Sequence, residues 1–208
     1  KLKTLSLDGY VLKKASPSCG MERVKVYKPD GHPLPPERGI FGGMLVDMMP
    51  GLPVEEEGRL NDPGLRENFF VRLFAHSRLR RLFSDSWATG DLVGFHTSEK
   101  LLLLAHSPAH YRTLGRLVAK AKDYERSELQ QEYSTQYMNA LRNLATKGSN
   151  FNVLQHMSGY LRKIASLPAR HLHAVRYVKN HRRKSAHHGQ AAHIDHQVMV
   201  TKRGSPLG

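Results

Sequence analysis

Leu60-Asn61-Asp62-Pro63-Gly64-Leu65-Arg66-Glu67-Asn68-Phe69-Phe70-Val71-Arg72-Leu73-Phe74 is where this chain changes character. Asp62 can cap a helix by accepting from an orphan backbone N–H, and Pro63 fits the first helical position because it has no N–H to lose. Leu65, Phe69, Phe70, Leu73 and Phe74 then lay an apolar stripe at helical spacing, which is expected to be core. Before Asp62 the pattern is one of short strands and turns. Tyr10-Val11-Leu12 and Arg23 to Tyr27 read as strands, Pro29-Asp30-Gly31 as a turn, and Pro33-Leu34-Pro35-Pro36 as a loop. Gly39 to Met49 reads as a short helix with Ile40, Met44, Leu45 and Met48 at helical spacing. Leu52 to Glu55 reads as a strand that Pro53 places at an edge.

After Asp62 the helical period persists. A second helix is expected over about Gly90 to Ala105, and a third begins with Ser107 as cap and Pro108 in its first turn, carrying Tyr111, Leu114, Leu117 and Val118 inward. Two more follow, one with Tyr133, Tyr137, Met138, Leu141 and Leu144, the other with Val153, Leu154, Met157, Tyr160, Leu161 and Ile164. The fold class is therefore an α/β remnant over residues 1–61, followed by an all-α domain of about five helices over residues 62–167.

The longest apolar run, Leu101 to Ala105, is far short of a membrane span. With one cysteine, the chain is expected in a reducing, cytoplasmic setting. The start, Lys1-Leu2-Lys3, has neither an initiator Met nor a long apolar signal core and reads as the start of an internal fragment. The formal net charge of +14 points to polyanions, nucleic acid above all. Yet Arg170 to Gly208 holds eight Lys and Arg against Asp195, a net of +7, which leaves +7 for residues 1–169. Residues 168–208 read as a basic, His-rich, disordered tail; His171, His173, His187, His188, His193 and His196 have no cysteine or carboxylate at ligand spacing.

Cys19 closes a Ser16-Pro17-Ser18 turn after an apolar strand, and Gly20 follows, where backbone or ligand can come close. The competing reading is a small buried hydrophobe. His96 and Lys100 stand one turn apart and His106 and His110 flank a helix start; capping or partial burial is the expected role of these histidines rather than zinc ligation. Arg112, Arg116, Lys120 and Lys122 form a basic strip. It is either a solvated face or a contact for RNA phosphates, helped in the second case by the positive end of the helix starting at Ser107.

Asp8 to Gly20, Lys25-Val26-Tyr27 and Leu52 to Asp62 together resemble the end of the thiouracil desulfidase domain. Phe95 to Lys100, His106-Ser107-Pro108, Tyr111 to Val118 and Asn152 to Tyr160 resemble the YbgA-like helical domain that is often fused behind it. The two motifs stand in the expected order and cover most of residues 7–165. The resemblance implies sulfur removal from a thiolated uracil base, and the fused form is similar to desulfidases that convert 4-thiouridine in transfer RNA to uridine. It implies a [4Fe-4S] cluster held by three cysteines, with Cys19 matching the third and contributing to cluster iron, and Ser16 matching the active-site serine. The partner it implies is thiolated transfer RNA or a thiouracil-type base; for Ser18 a turn role is expected.

The family's first two cluster cysteines and a glutamate assigned to acid–base work correspond to positions before Lys1, so the chain reads as N-terminally truncated and without a cluster of its own. The basic tail reads as a shifted reading frame. Two functions from different classes follow: a piece of an iron–sulfur desulfidase whose helices position RNA, or a non-catalytic nucleic-acid-binding helical module with an α/β remnant. A cysteine hydrolase with Cys19 as nucleophile lacks any motif that names its histidine.

Overall fold

The computed structural model describes residues 5–84 and 86–161. In chain order the elements are β1 (Tyr10–Leu12), β2 (Val24–Tyr27), β3 (Pro33–Glu37), α1 (Ile40–Met48), β4 (Val54–Glu56), α2 (Pro63–Leu82), α3 (Thr89–His106), α4 (Pro108–Ala119), α5 (Arg126–Leu141) and α6 (Lys147–Leu161). A small α/β part thus precedes five helices. Residues to Val153 belong to one compact unit, and a second begins at Leu154 within α6. The expectations for Ile164 and for residues 168–208 fall outside the described residues.

β1 pairs in parallel with β4, Tyr10 opposite Val54 and Leu12 opposite Glu56. β2 pairs antiparallel with β3, with a bulge between Val24 and Val26. Pro33 to Pro36, expected as a loop, therefore lies in a strand. The fixed φ of proline suits extended backbone, and the missing N–H groups cost little on a fully exposed strand with one partner. Between β2 and β3 the chain reverses at Gly31, whose φ of 85° suits a residue without a Cβ.

Helix starts follow the sequence signals. Asp62 Oδ1 accepts from Leu65 N–H at 2.9 Å, and Ser107 Oγ accepts from His110 N–H at 3.3 Å. The apolar stripes are cut differently from expectation. On α2, Phe69 is buried while Phe70 and Phe74 face out, because neighbouring residues on a helix point about 100° apart and one buried face cannot take both members of each pair. On α1, Ile40, Met44 and Met48 are exposed, and Leu45 and Gly42 are the residues buried. Leu144 lies past the end of α5 and is half exposed.

The helical core is built on Leu103, Leu114, Leu129, Tyr133, Tyr137 and Leu141, with the rings of Tyr133 and Tyr137 stacked and Phe95 set edge-on to both. Buried in it is Glu99, 6% exposed. Arg78 grips its two oxygens with Nε and Nη2 at 2.8 Å each, and the Tyr137 hydroxyl donates to Oε2 at 2.6 Å. Burial first, and Glu99 second, push the Tyr137 phenol up, so it stays a donor. A buried carboxylate left without its cation costs about 3–5 kcal/mol, whereas losing one neutral donor costs about 1–3 kcal/mol. Arg78→Met is therefore expected to destabilise the protein more than Tyr137→Phe in urea unfolding; the reverse order would show that the hydroxyl, not the ion pair, holds Glu99.

The α/β part is tied to α2 by Arg80, whose Nε and Nη2 both donate to Asp8 at 2.9 Å and hold its carboxyl down at about 2. Arg72 Nη2 adds a bond to the Val54 carbonyl at 3.3 Å. Beside them His76 Nδ1 lies 3.4 Å from Asp8 Oδ1 but is aimed too poorly to bond, which leaves a buried nitrogen without a partner. Burial lowers the His76 pKa below its ordinary 6.5 against the pull of Asp8, and burial with Lys100 lowers that of His96. Both rings bind protons more readily when unfolded, so their contribution is present above that value and lost as pH falls through it. The melting temperature should drop between about pH 7 and about pH 5, and His76→Gln with His96→Gln should flatten the drop. An unchanged slope would assign it to other groups.

Candidate functional site

Two strained residues bracket the turn that carries Ser16 and Cys19. Ala15 enters it with φ 53° and Arg23 follows it with φ 62°, a region that costs a residue with a Cβ about 1–3 kcal/mol. Within the turn, Ser16 Oγ accepts from Cys19 N–H at 3.3 Å and the Ser16 carbonyl accepts from Gly20 N–H at 2.8 Å. The hydroxyl oxygen is engaged in this way while its proton has no partner among the described residues. Cys19 is half-buried and packs against the Leu12, Leu45, Leu52 and Val54 cluster.

The start of α1 docks on this turn. Phe41 and Gly42 N–H donate to the Ser18 carbonyl at 2.8 and 3.1 Å, Ile40 N–H donates to Pro17 at 3.3 Å, and Gly39 N–H donates to Gly20 at 2.7 Å. These are the donors that a helix start leaves without intrahelical partners. The approach requires glycine: a Cβ at Gly39 would lie 2.6 Å from the Ser18 carbonyl oxygen, and one at Gly42 2.7 Å from that of Cys19. From the other side Glu56, buried on β4, accepts from Met21 N–H at 2.7 Å through Oε1. Lys14, Ala15, Arg23, Glu56 and Arg59 line a cavity of about 260 Å³ beside the turn, and Ser16 and Cys19 are not in its lining.

Gly39, Gly42 and Glu56 were not singled out by sequence reasoning as part of this site. Their one linear signal is a pair of glycines three apart at a helix start. Ser18, expected to serve the turn, does so through its carbonyl.

A three-cysteine cluster does not fit the donors this chain supplies. Cys19 is the one cysteine of its 208 residues, and among the described residues no three His, Cys, Asp or Glu converge on a metal position. His96 Nδ1 is 3.2 Å from the Tyr133 hydroxyl, His106 Nδ1 2.6 Å from the Asn143 carbonyl oxygen, and His110 Nδ1 2.7 Å from Ser107 Oγ.

The basic strip is divided by the fold. α4 ends at Ala119, which puts Lys120 at its C-cap and Lys122 in a following single 3-10 turn. Arg116 and Lys120 line one groove between α4 and α5; Arg112 and Lys122 do not. The positive end of α4 lies about two turns from Arg116, too far to assist it.

Residues 100–192 match the model of a family described as a protein of unknown function, DUF1722. The chain is also 32% identical over 97 residues to the uncharacterized protein YbgA of Escherichia coli (strain K12), across 46% of this chain and 57% of that relative. This stretch of the chain is YbgA-like. The chain thus spans about 57% of the length of the curated relative it matches. The family match takes in α4, α5 and α6, only the C-terminal part of α3 from Lys100 on, and residues 168–192 of the basic segment; it begins after Ser16 and Cys19. No solved structure matches the chain significantly. Among the described residues no helix is long and apolar enough to cross a membrane.

Gly42→Ala should lower stability by about 1–3 kcal/mol, the cost of overpacking against backbone, and should speed the reaction of Cys19 with a thiol reagent by loosening the turn. Ser18→Ala, which keeps the carbonyl, should change stability by less than about 0.5 kcal/mol. Equal effects of the two would remove the α1 contact as the clamp.

Proposed function

We propose that this chain is the Cys19-bearing part of a desulfidase that replaces the sulfur of a thiolated uracil base with oxygen, its substrate being 4-thiouridine in transfer RNA, and that its YbgA-like helices hold the RNA. The observation that carries the reading is the clamped turn: a hydroxyl and a thiol three residues apart, fixed by α1 and Glu56 and bracketed by two strained residues. Strain maintained on both sides of a rigid turn is a feature of functional loops. The resemblance of Asp8 to Gly20 and Leu52 to Asp62 to the desulfidase domain supplies the chemistry.

In this reading Ser16 is the acid-base group. Its oxygen is oriented by the Cys19 N–H, and its free proton points the hydroxyl toward donation to the base as sulfur departs. Overall, one water supplies the oxygen of uridine and sulfur leaves at the oxidation level of hydrogen sulfide, so electrons balance without an oxidant. The chain's own donors do not make up a cluster site, and the roles assigned to it are those of Ser16 and its turn.

The packing of Cys19 against Leu45 and its neighbours favours a second reading, a nucleic-acid-binding module in which the turn is structural.

The test is an anaerobic assay of the longest reading frame encoding this chain, with thiolated transfer RNA as substrate and nucleoside mass spectrometry as readout. Loss of 4-thiouridine with matching gain of uridine is expected, abolished by Cys19→Ala and slowed about 100-fold or more by Ser16→Ala. Undiminished conversion by Cys19→Ala would sink the desulfidase reading; RNA binding without conversion would favour the module.

A further inference from the structure

The groove between α4 and α5, beside the basic strip, has a volume of about 730 Å³, within the roughly 300–1,000 Å³ of ligand pockets. Its walls are two helix faces with the same spacing. α4 contributes Arg116 and Lys120 at positions four apart, and α5 contributes Glu128, Gln131 and Glu132 at i, i+3 and i+4. Tyr124, in the link between the two helices, lines the groove and is 38% exposed. The walls are opposite in charge, yet no ion pair joins them among the described residues: Arg116 Nη2 bonds Thr113 at 3.4 Å, and Glu132 accepts from Gln136 at 3.1 Å.

We propose that this groove binds one unstacked nucleotide of a single-stranded RNA segment, with its phosphate on Arg116 and Lys120, its base on the Tyr124 ring, and its base N–H donors facing Gln131 and Glu132. This rests on the reading that the helices hold RNA and does not depend on desulfurisation. The cationic wall suits phosphate, and an exposed ring beside it is a stacking platform. The acidic wall argues for this geometry over a duplex. A second phosphate track would run against Glu128 and Glu132, whereas a splayed base brings N–H donors that carboxylates accept.

The test uses the 208-residue chain and a fluorescein-labelled single-stranded RNA of about 12 nucleotides, within the footprint of single-strand binders, read by anisotropy over a salt series. Tyr124→Ala should weaken binding about 5- to 100-fold, as expected for one stacked base, while Tyr124→Phe should stay within about twofold because it keeps the ring. Arg116→Gln and Lys120→Gln should each reduce the slope of log affinity against log salt by about 0.7. A duplex of the same sequence should bind more weakly. All these side chains are exposed, so unchanged melting temperatures will show that the variants fold.

Tightening on Glu132→Gln would overturn the placement of the base. Full affinity in the Tyr124, Arg116 and Lys120 variants, with loss on Arg112→Gln or Lys122→Gln, would overturn the groove while leaving RNA on another face. No binding of single-stranded RNA or transfer RNA by the unaltered chain would overturn both the groove and the RNA-holding role. A negative desulfidase assay would touch neither.

Discussion

The first N–H groups of α1 have no partners within their own helix, and the carbonyls of Pro17, Ser18 and Gly20 supply them. That exchange fixes the α/β part. It holds the Ser16–Cys19 turn against a rigid element, and it consumes the helix start, which is therefore not an anion site. Glycine at positions 39 and 42 is the condition for it, since any side chain there would meet carbonyl oxygens at under 3 Å. Leu45, one turn further on, then reaches the cluster that Cys19 joins. The exposure of Ile40, Met44 and Met48 has the same origin: the turn takes the glycine side of α1, so the larger apolar side is left outward.

A comparable dependence joins the α/β part to the helices. Neither two-stranded sheet could be stable in isolation, and polar side chains from the helices engage the first part at several points. Arg80 grips Asp8, Arg72 reaches the Val54 carbonyl, and Arg142 reaches that of Pro50 at 2.8 Å. Asn68 of α2 donates to the Leu141 carbonyl at 2.9 Å and satisfies part of the end of α5. The chain's change of character at Asp62 is thus a change of local structure and not a break in the folded unit.

Local rules were legible in the sequence where one residue type has one physical use. Asp62-Pro63 and Ser107-Pro108 start helices as expected, and Tyr133, Tyr137 and Leu141 occupy the core. The prolines at 33 to 36 misled because the same fixed φ serves a loop and an exposed edge strand. Doubled apolar residues, Phe69-Phe70 and Leu73-Phe74, gave a stripe wider than any one face could bury. Of the site, Ser16 and Cys19 were visible as a turn, but Glu56 was not: it is 35 residues away from Met21, and only the pairing of β1 with β4 brings it there. Glu99 was read past for a similar reason, since its partners come from two other helices.

Net charge is a poor guide to where an anion would sit on this protein. Half of the +14 belongs to residues 170–208. In the described part several cations are already engaged: Arg78 on Glu99, Arg80 on Asp8, Arg59 on Glu55, Arg38 on Asp47, and Arg126 over the Trp87 ring at 4.9 Å. A guanidinium committed to a carboxylate contributes little field at a distance, because the pair is close to neutral. What distinguishes Arg116 and Lys120 is therefore not their number but their setting, a wall without acidic partners facing an open groove with an exposed ring at its end. The helical spacing that first drew attention to Arg112, Arg116, Lys120 and Lys122 groups them by sequence; the end of α4 at Ala119 divides them in space.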